Sequence, residues 1–193
     1  MMDIQIRNLT QRFGSKTVFR DLSLTLEDGG LYGLTAPSGR GKTTLLRILM
    51  GLQKPDGGSV QPAGIRWSAV FQTDRLLPGR SAVEQLLFVR GSRRDRDDAC
   101  AFLSGLLPEN SLHQPVEQLS GGMQRRVAIA RALWAESDCV LMDEPFTGLD
   151  EATLRQTARF ILTNRQGRTL LLSTHQKELL AEYPFRWLSL PEE

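Results

Sequence analysis

A chain of 193 residues, 40% hydrophobic and 24% charged, is long enough for one well-cored domain and has an ordinary globular composition. Its formal charge of +2, with 24 basic residues spread along the chain, is too small to argue for a nucleic-acid partner. Cys100 and Cys139 stand in different expected elements without metal-ligand spacing, which fits a reducing compartment better than a disulfide framework. No apolar run approaches the roughly 18 residues of a membrane span, and the opening Met-Met-Asp-Ile-Gln lacks a signal-peptide core. The expected location is cytoplasmic, with any service to a membrane performed as a peripheral subunit.

In chain order, Ile4 and Ile6, then Leu22, Leu24 and Leu26, alternate with polar neighbours, which predicts two half-buried antiparallel strands joined through Gly14-Ser15-Lys16. Phe13 stands at the end of the first, as a turn plug or as a face for an aromatic ligand. Residues 31–35 read as a buried strand, followed by APSGRGKTT (36–44) and by Leu45, Leu46, Ile48, Leu49 and Leu52 at the spacing of a helix packed on a sheet. Strand, glycine-bearing turn, Lys-Thr and helix is an arrangement that holds a nucleoside triphosphate: turn amides and the positive helix end face the phosphates, Lys42 reaches the β- and γ-phosphates, and Thr43 binds Mg²⁺. The G-x-x-x-x-G-K-[ST] pattern is met except at its first position, where Ala36 replaces glycine.

Residues 53–64 carry Pro55, Gly57, Gly58, Pro62 and Gly64 and leave room for at most a short strand. A strand over 65–71 ends at Gln72, at the sheet edge where open α/β sheets place ligands. From 80 to 119 the period turns helical, with Val83, Leu86 and Leu87 on one face and Ala99, Phe102, Leu103 and Leu106 on another. The charge run 93–98 reads as the solvated start of a helix, and His113 as a surface residue. LSGGMQ (119–124) opens a helix at Ser120, either as an ordinary N-cap or as a second anion site. The apolar run 139–142 delivers Asp143 and Glu144 to its carboxyl end. Adjacent desolvated carboxylates repel unless a Mg²⁺ takes the Asp and a positioned water takes the Glu. A further buried strand ends in Ser173-Thr174-His175, and alternation over 185–190 predicts a last edge strand.

APSGRGKTT, Gln72, LSGGMQ, VLMDEP, Gly148-Leu149-Asp150 and His175 occur in the order found in ATP-binding cassette (ABC) ATPases, and the chain resembles that family from Phe13 to His175. FQTDRLLP also resembles the nitrate, sulfonate and taurine import group. The resemblance implies an α/β fold: a P-loop NTPase core with a mainly parallel sheet, an N-terminal antiparallel β-layer and a small inserted helical subdomain. It implies one domain over 1–193, with the core and β-layer in about 1–72 and 120–193 and the helical subdomain in about 73–119. Phe13 would stack on adenine, and the segment Ala36, Pro37, Ser38, Gly39, Arg40, Gly41, Lys42, Thr43 and Thr44 would hold ATP. Thr43, Gln72 and Asp143 would hold Mg²⁺, Glu144 would polarise the attacking water, and His175 would meet the γ-phosphate. Ser120, Gly121, Gly122, Gln124 and Asp150 would act on the ATP of a second subunit.

The partners so implied are a second copy or another ABC subunit, and the cytoplasmic helices of a multi-span permease docking near Gln72, Leu76, Leu77 and the helical insert, with the chain peripheral on the inner face of the membrane. No direct nucleic-acid partner is expected. Three functions follow from the residues: the ATPase subunit of a transporter, a soluble ABC ATPase acting on nucleic acid or ribosomes, and a P-loop kinase. The long coiled-coil insert or tandem cassette usual in the second is not visible, and the Asp-Glu strand end together with LSGGMQ argues against the third.

Overall fold

The computed structural model describes residues 3–37, 39–90 and 95–190. Strands β1 (Ile4–Phe13) and β2 (Lys16–Leu26) form the expected hairpin, with Ile4 opposite Leu26 and Phe13 opposite Lys16. β4 (Gly57–Gln61) adds to the free edge of β1, giving a three-stranded antiparallel sheet ordered β2-β1-β4. A short strand forms in this glycine-rich stretch because Gly58, at φ +84°, rides over the carbonyls of Arg7 and Asn8, where a Cβ would come within 2.4 Å of Arg7 O.

The second sheet has five parallel strands in the order β5-β6-β7-β3-β8: β5 (Trp67–Val70), β6 (Cys139–Asp143), β7 (Thr169–Ser173), β3 (Leu31–Thr35) and β8 (Arg186–Ser189). The alternation at the C-terminal end does produce an edge strand, paired parallel to β3. Both faces of β6 and β7 are covered, so their apolar runs are continuous. Cys139, Leu141 and Leu171 face a core shared with the antiparallel sheet and helix α1 (Lys42–Leu49). Val140, Met142, Leu170 and Leu172 face the opposite core, built with α4 (Gly121–Trp134) and α5 (Glu151–Asn164). Each buried leucine contributes roughly 2 kcal/mol of hydrophobic stabilisation.

A third core joins α2 (Ala82–Arg90), α3 (Arg96–Ser104) and the outer side of α4 around Val83, Leu86, Leu103 and Trp134. Of the charge run, residues 93 and 94 lie outside the described residues, and α3 begins after Asp95, whose carboxylate accepts from Asp98 N at 2.9 Å. Two leucines depart from the sequence reading. Leu52 is 56% exposed, because Gly51 at φ +68° closes α1 with Leu52 N bonded back to Arg47 O at 2.9 Å. Leu76 is packed against the cores on both sides of α4, so of the pair offered for docking only Leu77 is exposed.

Candidate functional site

The carboxyl ends of β3, β6 and β7 and the start of α1 surround one cleft of about 350 Å³. Its walls hold Phe13, Gly39, Gly41, Lys42, Thr43, Thr44, Gln72, Asp143, Glu144 and His175, ten of the residues singled out in the sequence, together with Lys16 and Val18 from the hairpin. Gly41 enters α1 at φ +88°, and a Cβ there would lie 2.2 Å from Val18, so the chain can turn beneath the hairpin only with glycine. Among the described residues no side chain caps α1, so its first amide donors and its positive end are left for an anion. Ala36 stays out of the left-handed region, and its carbonyl accepts a 2.6 Å hydrogen bond from Lys42 Nζ. Glycine is not required at that position. Pro37 and Ala36 line a neighbouring hollow with His175, Arg40 N bonds to Pro37 O at 3.3 Å, and Ser38 lies outside the described residues.

The charged groups converge tightly. The mostly buried Lys42 ammonium lies 3.0 Å from His175 Nε2 and 3.9 Å from Glu144 Oε1, while His175 Nε2 is 3.1 Å from the same carboxylate oxygen. Asp143 is 4% exposed and accepts from Thr43 Oγ1 at 2.7 Å and from Ser173 Oγ at 2.6 Å. Glu144 leaves the strand at φ +50°, uncommon for a residue with a side chain, and its N–H donates to Ser173 Oγ at 3.0 Å. Thr43 Oγ1 and Asp143 Oδ2 form an oxygen pair beside Gln72. This suits a hard divalent cation held by one or two protein groups and completed by phosphate and water. Among the described residues no three His, Cys, Asp or Glu gather to cage a metal alone.

Ser120, Gly121, Gly122, Gln124 and Asp150 do not line this cleft. Ser120 caps α4 by accepting from Met123 N at 3.3 Å, and Asp150 caps α5 by accepting from Thr153 N at 2.9 Å. Those hydrogen bonds hold the Asp150 carboxyl below the usual range. Gln124 donates to Leu119 O at 2.9 Å. The two helix starts adjoin one another: a Cβ on Gly122 would lie 3.2 Å from Leu149. They form a second surface on the same molecule.

Two further polar residues belong to the site. Ser173 orients Asp143 and the Glu144 amide, and the polar end of an apolar strand was a visible signal for it. Arg125, buried in the second turn of α4, donates to main-chain oxygens of the Gln72 and Glu144 segments. Nothing local in Met-Gln-Arg-Arg distinguishes it from a solvated arginine.

Residues 19–147 match the ABC transporter family. The chain is 36% identical over 92% of its length to an aliphatic sulfonates import ATP-binding protein of Rhodococcus jostii, covering 75% of that protein. It is 38% identical over 91% of its length to Nod factor export ATP-binding protein I of Burkholderia lata, of which it spans 63%. In three dimensions it superposes on the ATP-binding cassette MJ0796, solved as a dimer in a post-hydrolysis state bound to ADP and Pi. The TM-score is 0.83 at 28% identity, over 97% of this chain and 94% of that one.

Proposed function

The chain belongs to the ABC transporter family, and from that premise we propose that it hydrolyses ATP as one half of a cassette pair whose closing and opening power the passage of a small solute across a membrane. The observation that carries this reading is the meeting in one cleft of Lys42, Thr43, Asp143, Glu144 and His175 beneath an uncapped helix start. The adenine stacks on Phe13, which is half exposed at the mouth. Loop amides from Gly39 to Thr44 cradle the phosphates, and Lys42 exchanges its contacts with Ala36 O and His175 for the β- and γ-phosphate oxygens. Thr43, Asp143 and Gln72 would hold the metal. Mg²⁺ when bound neutralises charge developing on the phosphates. Glu144 takes the proton of the attacking water as general base, and His175 meets the γ-phosphate.

A second cassette supplies Ser120, Gly121, Gly122, Gln124 and Asp150, which in one copy do not line the cleft. The whole chain acts as one cassette, with about 73–119 as the helical subdomain. Support comes from the third core, which α2 and α3 build against the outer side of α4. Among the described residues no helix is long and apolar enough to cross a membrane, and the proposed place is peripheral, on the cytoplasmic face. The docking surface for a permease includes the exposed Leu77 after the Gln72 loop and the exposed Phe88 and Val89 of α2 in the helical insert.

The reading is tested by Mg²⁺-dependent phosphate release from ATP by the purified chain with and without its permease. Absence of release in both cases would end it. Leu77→Asp with Phe88→Asp should abolish stimulation by the permease while leaving ATP binding intact, and undiminished stimulation would exclude that surface. Leu76 is left untouched in this test because its packing makes a charge there a folding defect.

A further inference from the structure

Arg125 is 4% exposed and sits in the second turn of α4, near the positive helix end, where the dipole disfavours a cation. Five acceptors offset that placement. Nη1 donates to Phe71 O and Asp74 Oδ1, both at 2.6 Å; Nη2 donates to Asp143 O at 2.6 Å and Glu144 O at 2.7 Å; Nε donates to Pro145 O at 3.2 Å. Phe71 immediately precedes Gln72, and residues 143–145 form the turn that presents Glu144.

The Nη2 pair has a specific consequence. The peptide planes ending in Asp143 O and Glu144 O are the two that flank the Glu144 Cα, so one nitrogen bonded to both constrains φ and ψ at that residue, alongside the bonds from Glu144 N to Ser173 Oγ and O and from Thr147 N to Glu144 O. Glu144 stands at φ +50°, a conformation that a free turn would leave for the ordinary helical or extended regions. Relaxation there swings the carboxylate away from His175 and from the cleft. A planar five-donor fork can reach acceptors on two separate segments at once, and an ammonium on a single stem cannot.

We propose that Arg125 is a positioning residue for hydrolysis: its guanidinium holds Glu144 in the left-handed conformation and ties the Gln72 loop to the same frame. Arg131, two turns further along α4, reinforces the grip by donating to Asp74 O at 2.9 Å and Arg75 O at 2.8 Å. This inference rests on the hydrolysis reading above and assigns a role within it.

The test compares the intact chain with Arg125→Lys and Asp74→Asn. For Arg125→Lys, kcat for ATP should fall at least about tenfold while KM stays within about threefold, because the phosphate loop and Lys42 are untouched while the base and the Gln72 loop are displaced. Amide exchange at 72–75 and 144–147 should quicken by about tenfold, with β1 and β2 unchanged. Asp74→Asn keeps the four carbonyl contacts and an acceptor oxygen on the side chain and should cost less than about threefold in kcat. Wild-type exchange at 144–147 in Arg125→Lys, or acceleration spread evenly over the whole chain, overturns the inference. So does an unchanged kcat in a variant whose wild type is active. An inactive wild type removes the hydrolysis reading instead, and the exchange measurement still decides whether Arg125 holds the turn.

Discussion

Arg125 and Arg168 lie near opposite ends of α4, and both bury a guanidinium against main-chain carbonyls. Arg168 donates to Leu133 O at 2.7 Å and Ala135 O at 3.0 Å at the end of α4, and to Asn164 O at 3.3 Å and Arg165 O at 2.8 Å at the end of α5. Those carbonyls have no helical partner of their own, and a cation is favoured at the negative end of a helix. Arg168 therefore solves a problem that any pair of packed helices poses. Arg125 sits where the dipole opposes it, and its acceptors belong to loops carrying Gln72 and Glu144. Buried arginine serves architecture at the amino edge of the parallel sheet and chemistry at the carboxyl edge. The two edges should consequently fail in different ways.

The largest effect expected is at the carboxyl edge. Glu144→Gln should lower kcat by at least about a hundredfold, the size of a lost general base, with ATP affinity within about threefold and unfolding unchanged. Phosphate release and equilibrium ATP binding measure it, and near-normal turnover would remove Glu144 from the base role. Arg168→Met should give the opposite signature: a loss of about 2 kcal/mol in urea unfolding, from the Leu133, Ala135 and Asn164 carbonyls that lose the guanidinium, with kcat per folded molecule unaltered. A fall in kcat at full folding would erase the distinction between the edges.

Smaller effects sharpen the contrast. Ala36→Gly should leave ATP affinity within about tenfold, or 1.4 kcal/mol, because the backbone at Ala36 does not use the freedom that glycine adds. A larger gain in titration with ATP would reveal strain in the loop. At the amino edge, hydrogen bonds and charge from Arg66 hold the Asp138 carboxyl below its usual range. Its folded pKa lies under its unfolded one, so its contribution is complete above about pH 4 and is lost as pH falls through the folded value. Asp138→Asn should flatten the acid side of the stability profile slightly and leave turnover alone, as unfolding midpoints across pH would register.

Most of the parallel sheet was legible in the sequence because its strands are short, apolar and punctuated. Residues 31–35 and 139–142 needed only their own composition to be recognised, and the alternation over 185–190 gave the edge strand. The cleft was legible for a related reason: Lys42, Asp143 and His175 each follow directly on a recognisable strand or strand–turn, and parallel strands bring their carboxyl ends together. Leu52 was misjudged because helical spacing cannot register where a glycine stops a helix. Arg125 could not be singled out, since Phe71 lies 54 residues before it and Glu144 lies 19 after it.

The sequence by itself determined the order of the elements, the glycine-bearing turn before α1 and the adjacent carboxylates at a strand end, because hydrophobic period and residue type act over a few neighbouring positions. Only the tertiary structure decided that Glu144 leaves its strand in a left-handed turn, that Ser173 and Thr43 share Asp143, and that one guanidinium joins the two loops. Those arrangements depend on directional hydrogen bonds between segments far apart in the chain, whose partners exist only once the sheet has brought them within 3 Å.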